Sequence, residues 1–337
     1  MKELIISDIE AGQRFDKYLA KCLPNAPKSF LYKMLRKKNI VLNGKKADGS
    51  EKISSGDSVK IFFSDETYNE FAGKSVTDTK PSVIKSSASH SKVKLEVLYE
   101  NEHILVVNKP KGMLSQKAAA TDVSLVEYVN AYLQDTGKVD KDSTFQAGIC
   151  NRLDRNTSGI VVAGKSIKGL QDMTEAFRER TIEKYYICVV KGRFNNRIKV
   201  DGYLYKDEKT NKVTVYGKND KNIHKDAVYI ETEYIPVVAG ENSSLLKVHL
   251  LTGRTHQIRA HLAYLKHPIA GDVKYGDTGF NKYYNREYGI KSQMLHAYQL
   301  ITDELNINTH IPKDFINVLK GEKLWEPGIP EDLEALR

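Results

Sequence analysis

From residue 93 onward, short runs of β-branched and aromatic residues recur at 95–99, 103–108, 159–163, 185–190 and 245–251, bounded by Gly, Asn or Pro. Runs of that length and composition read as strands. Helices lie between them. Ser166 reads as the N-cap of one, with Leu170, Met173 and Phe177 on a single face. Another begins near Thr255, with Ile258, Leu262 and Leu265 at i, i+4 and i+7. Strands and helices mixed without regular βαβ alternation predict an α+β domain on a mixed sheet. No internal repeat is present.

The first 64 residues differ. Phe15, Leu19 and Cys22 form one helical stripe that Pro24 ends. After Pro27 a second helix turns Phe30, Leu31, Met34 and Leu35 inward, and its other face and end carry Lys28, Lys33, Arg36, Lys37 and Lys38. Residues 40–42 read as a strand, Asn43-Gly44 as a tight turn, and 59–63 as another strand. This segment holds thirteen Lys or Arg against seven Asp or Glu, a net +6 within a chain of net +9. Net charge alone is equally compatible with a soluble protein that happens to be basic. Its location says more. One or two cations complement a helix dipole; five, with Lys45 and Lys46 just beyond, favour contact with a nucleic acid.

Between 67 and 92 Ser, Thr and Lys dominate, Pro81 sits mid-segment and periodicity is lost. The expected organisation is a basic module at 1–66, a flexible linker at 67–92 and a larger domain at 93–337. Cys22, Cys150 and Cys188 lie far apart, which argues against a disulfide framework or a zinc knuckle. The N-terminus is too acidic for a signal peptide, and no run approaches the roughly 18 apolar residues of a membrane span. A cytoplasmic protein without a membrane partner is expected.

No phosphate-loop or dinucleotide fingerprint occurs, so triphosphate and NAD chemistry lack support. His249, His256, His261 and His267 crowd one segment, but His256 and His261 are five apart and cannot share a helix face as a metal pair. No metal site is expected. Two other segments stand out. In residues 150–159, Cys-Asn-Arg-Leu-Asp-Arg-Asn-Thr-Ser-Gly, Asp154 lies between Arg152 and Arg155, which favours its carboxylate form. That suits a nucleophile and a structural salt bridge equally. In residues 251–262, Leu-Thr-Gly-Arg-Thr-His-Gln-Ile-Arg-Ala-His-Leu, a turn enters a helix rich in donors. Arg254 and Arg259 must point apart, one toward phosphate and one inward to a carboxylate, unless the segment is simply a capped helix with solvated arginines.

Taken together, N-R-L-D-R-N-T-S-G-I-V-V-A-G-K resembles the H-R-L-D-R-x-T-S-G signature of the RluA family of pseudouridine synthases. T-G-R-T-H-Q-I-R-A-H-L with P-I-A-G-D-V-K-Y-G is similar to the family's later motif. I-L-V-V-N-K-P-K-G at 104–112, K-Y-Y-I-C-V-V-K-G at 184–192 and L-H-A at 295–297 follow the family's order. Residues 12–63, with R-F-D-K-Y-L and V-L-N-G, look like the S4-like RNA-binding module that often precedes this domain.

The resemblance implies a largely antiparallel sheet and conversion of uridine to pseudouridine in RNA. Ribosomal RNA of the large subunit is the foremost expected target, and tRNA is possible by the same resemblance. No metal or organic cofactor is implied, and a monomer is the family default. Asp154 would be the essential carboxylate, Arg259 its partner, and Tyr186 the aromatic residue that stacks on the base. Arg152, Arg155, Thr157, Arg254 and Lys184 would contact the substrate, and Lys28, Lys33, Arg36, Lys37, Lys38 and Lys45 the wider RNA. Asn151 departs from the family's usual histidine, a change that bears on target choice or rate. The competing class is a non-catalytic RNA-binding or ribosome-assembly factor with the same fold. Asp154, Tyr186 and Arg259 together favour the enzyme, since binding a polyanion needs no aspartate aimed at it.

Overall fold

The computed structural model describes residues 1–73, 94–140, 143–326, 328–329, 331 and 333. The chain divides into two compact units. One comprises Met1–Leu105, Val126–Cys150 and Val162–Glu175, the other Val106–Leu125, Asn151–Val161 and Ala176–Arg337.

The first unit begins with β1 (Lys2–Ile5), α1 (Phe15–Cys22), α2 (Lys28–Arg36), β2 (Ile40–Leu42), β3 (Lys45–Lys46) and β4 (Ser58–Ile61). The strands form an antiparallel sheet of order β1-β4-β2-β3. The two amphipathic helices bury Phe15, Leu19, Leu31 and Leu35 against Ile40, Val59 and Ile61. Asn43 and Gly44 both have positive φ, as the predicted turn requires.

α3 (Asp65–Ala72) then occupies residues expected to begin the linker. The sequence supplies a complete helix: Ser64 caps it by accepting from the Thr67 N–H, Asp65 and Glu66 fill its first turn, and Gly73 ends it in the left-handed region. Tyr68, Phe71 and Ala72 pack on the module's core. Composition alone concealed these few apolar residues. The rest of the expected linker, apart from its start, lies outside the described residues. β5 (Glu96–Glu100), β6 (Ile104–Lys109), α4 (Leu125–Asp135), β7 (Gly148–Ile149), β8 (Ser158–Gly164) and α5 (Ile167–Glu179) follow. Ser166 caps α5 as expected, its hydroxyl accepting from the Gly169 N–H at 3.0 Å.

The second unit contains β9 (Glu183–Lys191), β10 (Ile198–Asp207), β11 (Lys212–Gly217), β12 (Val228–Ala239), β13 (Ser243–Leu250), α6 (Gln257–Tyr264), α7 (Thr278–Tyr288), β14 (Leu295–Ile301), β15 (Asn306–Asn308) and α8 (Lys313–Gly321). Its strands run β11-β10-β12-β13-β9-β14, antiparallel throughout, with β15 beside β14. Ser158 and Gly159, the first residues of β8, add a parallel pairing to β14. The sheet is therefore mixed and largely antiparallel. Residues 185–190 of β9 are buried one after another, which is why they read as a continuous apolar run. α6 packs Ala260 onto Leu204, Val213 and Ile230, fixing the helix over β10–β12. No helix among the described residues is long and apolar enough to cross a membrane.

Candidate active site

Asp154 sits in the stretch 151–157 that leads into β8. Its carbonyl accepts from the Thr157 N–H at 3.0 Å, closing a turn. Residues 109–115 anchor this stretch. The Lys109 ammonium donates to the carbonyls of Pro110, Met113 and Arg155 at 3.0, 2.9 and 3.1 Å. The Gly112 N–H also reaches the Arg155 carbonyl, at 2.9 Å. The Ser115 hydroxyl donates to the Leu153 carbonyl at 2.8 Å and accepts from the Leu153 N–H at 3.0 Å. Just beyond, Gly159 has a φ of +114°, and a Cβ there would meet the Ala297 carbonyl oxygen at 2.2 Å. Only glycine lets β8 approach β14 so closely. The carboxylate thus rides on a turn fixed at both ends.

Lys109 is fully buried, and burial pushes its ammonium down to about 8, with the charge of Asp154 acting the other way. In the unfolded chain the ordinary value is 10.5. Between those values the unfolded chain holds a proton that the folded chain has released, so this site's contribution to stability rises with pH across that window. Below it, the cost of burying the cation is constant. Lys109→Met is expected to flatten the pH dependence of the melting temperature between about 8 and 10.5. Losing the charged donor's bonds to three part-buried carbonyls should also lower stability at neutral pH by about 1–3 kcal/mol. Thermal melts across the range check both.

The first turn of α6 supplies the partner of Asp154. Arg259 Nη1 donates to Asp154 Oδ2 at 2.7 Å. Its other edge grips Asp272 in a fork, Nε to Oδ2 at 2.7 Å and Nη2 to Oδ1 at 2.9 Å. Asp272 is 1% exposed and also accepts the backbone N–H groups of Lys274 and Tyr275 at 2.9 and 3.0 Å. The Tyr275 ring centroid lies 5.3 Å from Arg259 Cζ. Burial opposes the guanidinium charge, but the bonds and charge of Asp272, then those of Asp154, raise the pKa above its ordinary value. Burial likewise opposes the Asp272 carboxylate, and Arg259 with the two backbone N–H groups holds its pKa below the usual one. Arg259 is a charged strut, anchored at one end and aiming Asp154 with the other.

His256, immediately before α6, has φ +54° and ψ +17°. Its Nε2 lies 3.9 Å from Asp154 Oδ2 and its Nδ1 2.9 Å from the Tyr275 hydroxyl. Tyr186 on β9 is buried, and burial followed by the charge of Asp154 raises its pKa. A cavity of about 300 Å³ is lined by Arg259, Asn156, Lys212, Val273, Lys274, Ser292 and Gln293. Val273 stands 84% exposed. A carboxylate aimed by a cation, beside a cavity and within the field of a buried tyrosine, suits nucleophilic or general-base chemistry.

The sequence profile of RNA pseudouridylate synthases matches residues 103–264. Over 302 residues the chain is 31% identical to the ribosomal large subunit pseudouridine synthase C of Haemophilus influenzae, covering 89% of this chain and 86% of that protein. The chain belongs to the RluA family of RNA pseudouridine synthases. An uncharacterised RNA pseudouridine synthase of Mycoplasma genitalium is 31% identical over 297 residues, 87% of either protein. The human RNA pseudouridylate synthase domain containing 4 shares the fold, with a TM-score of 0.58 at 22% identity, covering 69% of this chain and 94% of that one.

In this synthase Asp154 and Arg259 meet, as the resemblance implied. Arg152 and Arg155 do not clasp the aspartate between them; both are exposed, and its carboxylate bonds Arg259 instead. Neighbours in a turn project in different directions, so adjacency in sequence was a poor guide to the ion pair. Arg254 is exposed, apart from its backbone N–H on Gln257 Oε1 at 3.0 Å. Thr157 is buried and accepts from Gln293 Nε2 at 3.3 Å. Lys184 is half-buried on the same face of β9 as Tyr186, and burial followed by the charge of Arg180 lowers its pKa. Asn151 donates its amide to the Ile160 carbonyl at 3.2 Å, binding the turn to β8. His261 packs its ring edge-on to Tyr234, with centroids 5.6 Å apart. Asp272, Lys109 and the placement of His256 beside Asp154 were missed. All three lie inside the matched strings, but spacing alone does not pair 259 with 272.

Proposed function

We propose that this pseudouridine synthase isomerises specific uridines of large-subunit ribosomal RNA, with Asp154 as the essential carboxylate. The observation that carries the reading is the Asp154–Arg259–Asp272 chain of ion pairs in a protein 31% identical to a ribosomal large subunit synthase. The reaction breaks the N-glycosidic bond, turns the uracil and rejoins it through carbon 5, so no atom is gained or lost. Asp154 acts on the ribose while Arg259 holds it aimed. Tyr186 stacks on the base. Arg152, Arg155 and Arg254, exposed around the turn and helix start, bind phosphates, with Lys184 and Thr157 nearer the nucleotide. The uridine must leave its stack to reach Asp154, which favours loops and weakly paired sites.

Carbodiimide primer-extension mapping of RNA from cells with and without the gene tests this directly. Loss of one or more ribosomal pseudouridines on deletion, restored by the wild-type gene, is expected. Loss confined to tRNA would move the target, and no loss in any RNA would overturn the enzymatic reading. The exposed cations Lys28, Lys33, Arg36, Lys37, Lys38 and Lys45 support an RNA-binding role for residues 1–66. Neutralising Arg36, Lys37 and Lys38 should weaken RNA binding and leave kcat unchanged. The slope of log Kd against log salt should become shallower by about 1 for every phosphate no longer neutralised. Filter binding between about 50 and 200 mM salt, where such a dependence is steep, measures the slope.

A further inference from the structure

His256 occupies a helix N-cap position without serving as a cap. Its side chain makes no capping bond, and its backbone adopts the left-handed region that non-glycine residues enter at some strain. Gln257, the first helical residue, ties back the preceding turn, its Oε1 accepting the Arg254 N–H at 3.0 Å and the Thr252 hydroxyl at 2.9 Å. The conformation of His256 therefore serves to direct its ring toward Tyr275 and Asp154.

The hydrogen bonds around that ring favour one placement of its proton. The Tyr275 hydroxyl accepts the Val213 N–H at 3.0 Å. Its single proton then has one acceptor among the described residues, His256 Nδ1 at 2.9 Å. With Nδ1 as the acceptor in this arrangement, a neutral imidazole carries its hydrogen on Nε2, the atom 3.9 Å from Asp154 Oδ2. That separation exceeds a hydrogen bond, and catalytic bonds that are long in a free enzyme shorten once substrate is bound. Arg259 Nη1 addresses the same oxygen at 2.7 Å.

We infer that His256 is a positioning residue for Asp154: Tyr275 holds it as the Nε2–H tautomer, and His256 and Arg259 together engage Oδ2 so that Oδ1 is left for the ribose. The inference rests on the proposed role of Asp154. Burial lowers the pKa of His256, in keeping with a neutral ring.

The test combines spectroscopy with kinetics. In the wild-type protein at pH 7.5, ¹⁵N-histidine NMR should show a pyrrole-type Nε2 and a pyridine-type Nδ1 for His256. Tyr275→Phe, which keeps the ring beside Arg259, should abolish that preference. His256→Asn suits the left-handed backbone but does not reach as far as Nε2, so it separates the fold from the donor. It should melt like the wild type and lower kcat by roughly 100-fold, the scale of a misplaced reacting group, with KM and RNA affinity nearly unchanged. His256→Gln, whose amide nitrogen stands where Nε2 does, should recover much of that loss. An Nδ1–H tautomer or an imidazolium in the wild type would overturn the inference, as would full kcat in His256→Asn. Absence of pseudouridine formation by the wild type would instead remove the proposed function, while the tautomer measurement still reads the arrangement itself.

Discussion

Asp154→Ala is expected to lower the rate of pseudouridine formation by roughly 10⁴-fold or more, the scale on which an enzyme responds to losing the group that attacks or deprotonates its substrate. The fold should hardly register the change. Asp154 is 27% exposed at its side chain, and its removal leaves Arg259 clasped by both oxygens of Asp272. No buried charge is orphaned, so stability should stay within about 1 kcal/mol of the wild type. Asp154→Asn sharpens the point, since it keeps the shape and an oxygen for Arg259 but not the negative charge. It should be as inactive as alanine. Single-turnover assays on a substrate RNA, beside thermal melts and RNA-binding measurements, read all three quantities. Appreciable activity in either variant would remove Asp154 from the chemistry.

Arg259 should behave differently, because its loss strikes fold and reaction at once. Arg259→Ala leaves the Asp272 carboxylate, 1% exposed, without its counter-charge. Breaking a buried pair in this way typically costs about 3–5 kcal/mol. Arg259→Lys keeps the charge but not the fork; one ammonium cannot hold both oxygens of Asp272 and reach Asp154 as well. It should fold better than the alanine variant and still lose roughly 100-fold or more in kcat through misplacement of the carboxylate. Asp272→Asn retains acceptors for the Lys274 and Tyr275 N–H groups but weakens the grip on Arg259, so its stability should fall between the wild type and Arg259→Ala. Urea denaturation of the set orders the stabilities, and an Arg259→Ala protein as stable as the wild type would contradict the strut.

The pattern of what the sequence disclosed follows from the range of each interaction. Helix stripes such as Phe15, Leu19 and Cys22, the Asn43-Gly44 turn and the Ser166 cap are local, and each appears where its residues predict. β9 was legible because it is buried on both faces. α3 was hidden because a short helix in a Ser- and Lys-rich stretch has few apolar residues to announce it. At the site, local reasoning left Asp154 between Arg152 and Arg155 with nucleophile and salt bridge both open, and only the resemblance pointed to Arg259, the residue on another element that its carboxylate bonds. Asp272 depends on the Gly271 turn (φ +77°) carrying it beneath α6, a placement only the tertiary fold supplies. The same holds for Lys109, whose three carbonyl partners come from two separate segments.

The loop that carries Asp272 separates two jobs between neighbouring residues. Asp272 holds Arg259, and its carbonyl accepts the Gly276 N–H at 2.8 Å and the Asn281 amide at 2.9 Å, so the backbone is locked from within. Val273, the next residue, is 84% exposed and contributes nothing to that lock. Over evolutionary time such a position can drift without penalty to the ion-pair chain, although it stands on the wall of the cavity. The anchor of the ion-pair chain and the wall of the cavity are thereby assigned to adjacent codons, and a substitution at the second can reshape the cavity without disturbing the first.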